Sequence, residues 1–331
     1  MRMTTSWVLA GATALALGVS AFGFSAKATR ADVKVEDSVE TYKPAAGISG
    51  TLSSVGSDTL NNLMTFWAEG FKKHYPNVTF AVEGKGSSTA PPALIDGTAD
   101  LGPMSREMKK EEIKKFEDKF GYKPGVVAVA VDALAVYVHK DNPVKSLTLA
   151  QVDAIFSANR KGGYKEDITK WGQAGLEGEW ANLSITLYGR NSASGTYGFF
   201  KEHALFKGDF KSTVKEQPGS STVVQLTSED RSAASYSGIG YKTAGVKAVA
   251  LAKNEGETAY EATAENCYSG KYPMSRYLWI YFNRAPGKEL SPVVKEFLNF
   301  ILSKDGQEIT IKDGFIPLTK KMIDKNAAVL K

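Results

Sequence analysis

The sequence predicts an α/β fold in two lobes, with two mixed sheets flanked by helices and a hinge of two crossing strands. Three observations predict it. Short apolar runs alternate with amphipathic stretches from Ile48 onward, the pattern of interleaved strands and helices. The chain has 331 residues, more than one hydrophobic core usually organises. One nearly uncharged run, Val126 to His139, exceeds the length of most strands, and a second, Tyr277 to Phe282, returns near the end. A strand that leaves one sheet and enters another reads this way, as does one long strand inside a single large sheet.

The elements follow in order. Gly50 to Val55 reads as a strand, and Asp58 to Tyr75 as a helix with Leu60, Leu63, Met64, Trp67 and Phe71 on one face. Asn77 to Glu83 is a strand ended by Gly84. Ser87 to Ile95 is a helix whose Pro91 and Pro92 belong in its first turn or kink it. Ala99 to Gly102 is a short strand, and Lys109 to Phe120 a charged surface helix. Beyond the long run come strand Leu183 to Leu187, helix Gly195 to Leu205, and strands Ile239 to Tyr241 and Lys247 to Ala252. Helices Pro292 to Leu302 and Asp305 to Ile311 close the chain. The implied organisation is a first lobe built from residues 48–133 and 279–331 and a second lobe from 134–278. The hinge falls in Val131 to Tyr137 and Arg276 to Tyr281.

Residues 1–28 read as a cleaved export signal. Arg2 gives the positive start, Trp7 to Phe24 is uncharged, and Ala26-Lys27-Ala28 supplies a small-x-small cleavage pattern. A permanent membrane anchor is the rival reading. Residues 29–47 are polar and read as a flexible leader. A free protein outside the cytoplasmic membrane follows, most simply in a periplasm.

Composition excludes several classes. At 43% hydrophobic and 23% charged residues, the chain is neither collagen-like nor disordered. The net charge of +5 comes without a dense basic run, so nucleic acid is not an expected partner. Cys267 is the only cysteine, so no internal disulfide forms, and its expected role is a small buried apolar residue. His74, His139 and His203 lack ligand spacing, and neither a metal nor a cofactor is expected.

The chemistry sits where hydroxyls and glycines precede helices. A helix N-terminus offers unpaired N–H groups and the positive end of its dipole, and Ser or Thr adds neutral donors. Gly56-Ser57-Asp58-Thr59 is the first such turn, although Ser and Asp are also ordinary caps. Gly84-Lys85-Gly86-Ser87-Ser88-Thr89 is the second. It lacks the spacing of a nucleotide-binding P-loop. Arg190-Asn191-Ser192-Ala193-Ser194-Gly195-Thr196 is the third, with a planar guanidinium suited to gripping two oxygens of a tetrahedral anion. Ser105-Arg106 adds another hydroxyl and cation. The candidate ligand-binding set is therefore Ser57, Asp58, Thr59, Ser87, Ser88, Ser105, Arg106, Arg190, Ser194, Gly195 and Thr196.

These residues resemble a known family. Gly56-Ser57-Asp58-Thr59, Gly86-Ser87-Ser88, Asp100-Leu101-Gly102 and Arg190 followed by Ser194-Gly195-Thr196 look like the substrate-binding protein of the high-affinity phosphate ABC transporter. The stretches Ser303 to Glu308 and Asp313 to Leu318 are similar to that family's ending. The resemblance runs in order from about Ile48 to Leu318. It implies a two-lobed periplasmic-binding-protein fold of type II kind, acting as a monomer that holds dehydrated inorganic phosphate in its cleft. It also implies delivery to the permease subunits of a transporter, without catalysis.

One position departs from the pattern. Well-known members carry an aspartate that accepts a proton from the ligand a few residues after the Asp-x-Gly strand, where this chain has Ser105. Asp58 is assigned that acceptor role, with a plain helix cap as its alternative. A carboxylate facing the ligand rewards the O–H of phosphate and repels fully ionised sulfate. Sulfate or molybdate remains the alternative ligand. A phosphate-ester hydrolase and a surface adhesin remain the alternative classes, although no Gly-x-Ser-x-Gly elbow or nearby His supports a serine nucleophile.

Overall fold

A computed structural model describes residues 33–331; the expected signal segment 1–28 and residues 29–32 of the leader lie outside the described residues. The first part of the fold is β1 (Gly50–Val55), α1 (Asn61–Lys72), β2 (Val78–Glu83), α2 (Ala90–Asp96), β3 (Leu101–Met104) and α3 (Lys110–Phe120). The long β4 (Gly125–His139) leads to β5 (Ser146–Thr148), α4 (Leu149–Phe156), β6 (Thr186–Arg190), α5 (Gly195–His203), β7 (Lys215–Gln217) and α6 (Ser220–Glu229). Then come β8 (Ala233–Gly238), β9 (Val246–Ala248), β10 (Ala250–Ala252), α7 (Ala264–Tyr268) and β11 (Ser275–Phe282). Helices α8 (Pro292–Leu302), α9 (Lys304–Lys312) and α10 (Lys320–Val329) complete it.

The strands form a mixed nine-stranded sheet in the order β2-β1-β3-β11-β4-β8-β6-β7, with β9 also paired to β4. The expected two sheets are thus two halves of one, because β4 belongs to both. Its residues from Gly125 to Ala133 pair antiparallel with β11, and from Leu134 onward its partner is β8. Residues 127–138 of β4 are buried without interruption, which explains the absence of alternation in that run. Asp132 is the one charged residue in the buried stretch.

Helix α1 buries Leu63, Met64, Trp67 and Phe71, the face its periodicity marks, and the Trp67 indole donates to the Gly306 carbonyl at 2.8 Å. Helix α8 matches its sequence bounds, with Pro292 in the first turn, where a missing N–H costs nothing.

Several elements differ from expectation. The helices expected at Asp58 and Ser87 open with single 3-10 turns, Asp58–Leu60 and Ser87–Thr89, before α1 and α2 begin. The strand expected at Leu183 starts at Thr186 instead, so Arg190 ends the strand itself. Ile239–Tyr241 is a 3-10 turn; the strand precedes it as β8, whose small residues Ala233-Ala234-Ser235 carry little apolar signal yet are fully buried. The run from Lys247 to Ala252 divides at Val249, because β9 pairs with β4 while β10 pairs with β5.

The leader is anchored over its described part. Val35 and Val39 are buried, and the Tyr42 hydroxyl lies 2.8 Å from both the Tyr75 hydroxyl and Glu296 Oε2. Tyr42 also packs edge-on against Phe300. The polar composition of 29–47 concealed these three apolar contacts.

Candidate anion-binding site

Four separate turns meet between the two halves of the sheet. On the first half lie the turn after β1 (Ser57, Asp58, Thr59), the turn after β2 (Ser87) and the turn after β3 (Ser105). On the second half lie the end of β6 (Arg190) and the start of α5 (Ser194, Gly195, Thr196). Ser57, Thr59, Ser87, Ser105, Arg190, Ser194 and Thr196 are all buried. The halves touch directly: the Thr59 and Thr196 hydroxyls are 2.9 Å apart, and the Ser88 N–H donates to the Ala193 carbonyl at 3.1 Å. Gly86, at φ +119°, allows that approach, since a Cβ there would lie 2.6 Å from the Ala193 carbonyl oxygen.

The hydroxyls share a polarity. The Ser105 N–H donates to Ser87 Oγ at 3.0 Å, and Ser57 Oγ donates to Ser105 Oγ at 3.0 Å. Ser194 caps α5 by accepting from the Thr196 N–H at 3.1 Å. Thr196 Oγ1 accepts from Arg276 Nη2 at 2.9 Å. The Ser87, Ser105, Ser194 and Thr196 oxygens each accept from a protein donor, which leaves their own protons to serve a neighbour or a guest in the space between the turns. A set of hydroxyls oriented as donors beside the first turn of α5 suits an acceptor-rich guest.

Arg190 is the buried cation of the site. Its Nη2 donates to the Pro218 carbonyl at 2.8 Å, and its Nη1 bonds Ser220 Oγ at 2.5 Å and lies 3.1 Å from Asp58 Oδ2. Its Nε is buried without a partner. An orphaned donor on a buried guanidinium costs free energy unless a ligand engages it. Burial pulls this guanidinium below the ordinary arginine range, and the Asp58 carboxylate opposes that pull. Asp58 Oδ2 also accepts from the Ser220 N–H at 2.9 Å and Ser220 Oγ at 2.8 Å. The carboxylate therefore ties the first half to the start of α6 in the second.

A second buried pair lies beneath. Arg276 Nε and Nη2 reach Asp132 Oδ2 at 3.0 and 2.7 Å. Two cations face two carboxylates, so a captured anion meets oriented dipoles rather than an excess of positive charge. Beyond Arg276 a cleft of about 600 Å³ opens between the halves, lined by Arg106, Lys109, Phe199, His203, Tyr277 and Trp279 among others.

The PBP superfamily domain matches residues 4–305. The phosphate-binding protein PstS of Pseudomonas aeruginosa is 55% identical over 318 residues, 96% of each chain. The chain belongs to the PstS family of phosphate-binding proteins. Among solved structures, a phosphate-bound ABC transporter substrate-binding protein from Clostridium perfringens is 28% identical with a TM-score of 0.68, covering 82% of this chain and 100% of its own. An ABC-type phosphate transport receptor from Vibrio cholerae is 25% identical with a TM-score of 0.61, covering 81% and 100%. The periplasmic-binding-protein fold expected from the sequence is the fold observed.

Within this PstS fold, nine of the candidate residues share one locus, and two stand at its edge. The Arg106 guanidinium grips Glu112 at 2.7 and 2.8 Å and the Glu107 carbonyl at 2.8 Å. Ser88 is half-buried beside it. Sequence reasoning placed Asp132 and Arg276 only within the expected hinge stretches and gave neither them nor Ser220 a part in the site. A lone Asp inside an apolar strand is the signal that marks the first; Arg276 faces it in register on β11. Ser220 carried no signal, because its helix was not anticipated.

Proposed function

We propose that this PstS family member captures inorganic phosphate between its two lobes and delivers it to the permease subunits of an ABC transporter, without changing it chemically. The observation that carries the reading is the unpartnered Arg190 Nε amid hydroxyls whose oxygens are already engaged. The ligand-contacting set is Ser57, Asp58, Thr59, Ser87, Ser105, Arg190, Ser194, Gly195 and Thr196, with Ser88 and Arg106 supporting the rim. The lobes comprise residues 48–133 with 279–331, and 134–278, and they rotate about the β4 and β11 crossing. Phosphate stabilises the closed form, since only that form completes its hydrogen bonds. The protein works as a monomer in the periplasm after removal of residues 1–28.

The PstS name and the phosphate-bound relative support phosphate over other tetrahedral anions. Calorimetric titration of the mature protein with phosphate, sulfate and molybdate tests the reading. Sub-micromolar phosphate binding, on the order of 8 kcal/mol or more, is the expected result. Tighter binding of sulfate or molybdate overturns it.

A further inference from the structure

We propose that Arg276, held by Asp132 at the strand crossing, is the positioning residue that turns the Thr196 hydroxyl toward the anion and so ties closure to capture. The inference rests on the proposed phosphate function and adds a residue to it. Arg276 and Asp132 face each other in register on β11 and β4, one residue before β4 exchanges partners. The pair therefore lies where any rotation of the halves must pivot.

Its contacts divide between the halves. Arg276 Nη1 donates to the Ser105 carbonyl at 2.8 Å, in the turn that carries the Ser105 hydroxyl. Nη2 donates to Thr196 Oγ1 at 2.9 Å, across the cleft. Asp132 Oδ1 accepts from the Ile239 N–H at 3.0 Å, which fixes the end of β8 and the turn leading to Tyr241. The Tyr241 hydroxyl donates to the Asp58 carbonyl at 2.9 Å, back on the first half. The Phe199 ring covers the outer face of the guanidinium, with Cζ 5.4 Å from its centroid.

The chemistry follows from proton counting. A threonine hydroxyl has one proton and two acceptor sites. With Arg276 donating to Thr196 Oγ1, the remaining proton turns toward Thr59 Oγ1, 2.9 Å away, or toward a guest beside it. Arginine cannot accept, so the direction of this chain is fixed: Arg276 to Thr196, then onward. The bond forms only when the halves approach, which makes the donor available in the closed form alone.

A double-mutant cycle tests this. Wild type, Arg276→Lys, Thr196→Val and the double variant are titrated with inorganic phosphate, with thermal melts of each ligand-free protein alongside. Arg276→Lys should weaken phosphate binding about tenfold or more in the Thr196 background and less than about threefold in the Thr196→Val background. A residue with only a structural role weakens both backgrounds equally, and that result overturns the proposal. A wild type that takes no phosphate overturns both this proposal and the function beneath it. Should the Arg276 variants not fold, wild-type protein labelled with 15N-arginine decides: the Arg276 Nε resonance, placed by its contact with the Phe199 ring, should shift on phosphate addition. A resonance unmoved by saturating phosphate rejects the assignment.

Discussion

Thr59 and Thr196 lie 137 residues apart in sequence, yet their hydroxyls meet at 2.9 Å in the centre of the molecule. Both are fully buried, and they come from opposite halves of the sheet. A contact of this kind exists only while the halves are together.

Thr59→Val keeps the volume and removes the hydroxyl. It strands Thr196 without its partner and deprives an anion of one donor. Phosphate affinity is expected to fall by about tenfold, near 1.4 kcal/mol, with little change in ligand-free stability. Calorimetry with a parallel denaturant titration separates the two effects.

Gly195→Ala tests closure more severely. A Cβ at this position would lie 2.3 Å from Ser87 Oγ and 2.6 Å from Ser105 Oγ, both on the opposite half. Neither neighbour is a flexible chain end, so the halves must separate to accommodate the methyl group. Phosphate binding should drop by at least ~100-fold, about 2.7 kcal/mol. Small-angle scattering should show an expanded molecule even with phosphate present. A compact Gly195→Ala protein with wild-type affinity would remove the hinge-closure mechanism.

Asp58→Asn addresses selectivity. The carboxylate contacts Arg190 at 3.1 Å and the start of α6 through Ser220, and the acceptor role expected from the sequence for the O–H of the ligand would have to be filled by the same side chain. The variant should lose phosphate affinity by about tenfold or more while sulfate affinity holds or rises, so the ratio narrows. Equal losses for both anions would leave Asp58 as a cap and ion-pair partner only.

The legible and illegible parts of this fold differ for physical reasons. The long strand announced itself because a residue shared by two half-sheets is buried on both faces, and Val126 to His139 shows no polar alternation. The turns at Ser57, Ser87 and Ser194 were legible because the same opening of glycine and hydroxyl residues before a helix recurs three times along the chain, although any one of them alone reads as an ordinary cap. Helix α6 was hidden: Ser220-Ser221-Thr222 opens it with residues that read equally well as loop, and Val223, Val224 and Thr227 bury a narrow face. With α6 unseen, neither Ser220 nor the role of Asp58 as its tether was visible. Arg276 was hidden by distance, since nothing local in β11 shows that Asp132 lies opposite.

Cys267 is buried, and burial pushes its thiol up to about 12. The thiolate is the reactive form, so almost none is available at neutral pH. Native protein at pH 8 should resist a thiol-specific reagent over hours, whereas protein in denaturant should label completely within minutes. Rapid native labelling would show that α7 opens locally far below the global unfolding free energy.

Asp313 gives the fold a dependence on pH. Its Oδ2 is buried without a hydrogen-bond partner, close to the Gly240 and Tyr241 turn, and burial raises its carboxyl from the ordinary 3.8 to about 7. Between those two values the folded protein holds a proton that the unfolded chain has released. Stability therefore falls as pH rises through that interval, and the loss is complete above about 7. Allowing for partial solvent screening, the contribution is on the order of 1–2 kcal/mol. Urea denaturation at pH 5 and pH 8 should show the wild type weaker at pH 8 by that amount, after subtraction of the same difference in Asp313→Asn. The asparagine variant removes the titrating group while keeping the shape, so it should be the more stable protein at pH 8. An identical pH profile for both proteins would mean that Asp313 titrates near the normal carboxylate value in solution.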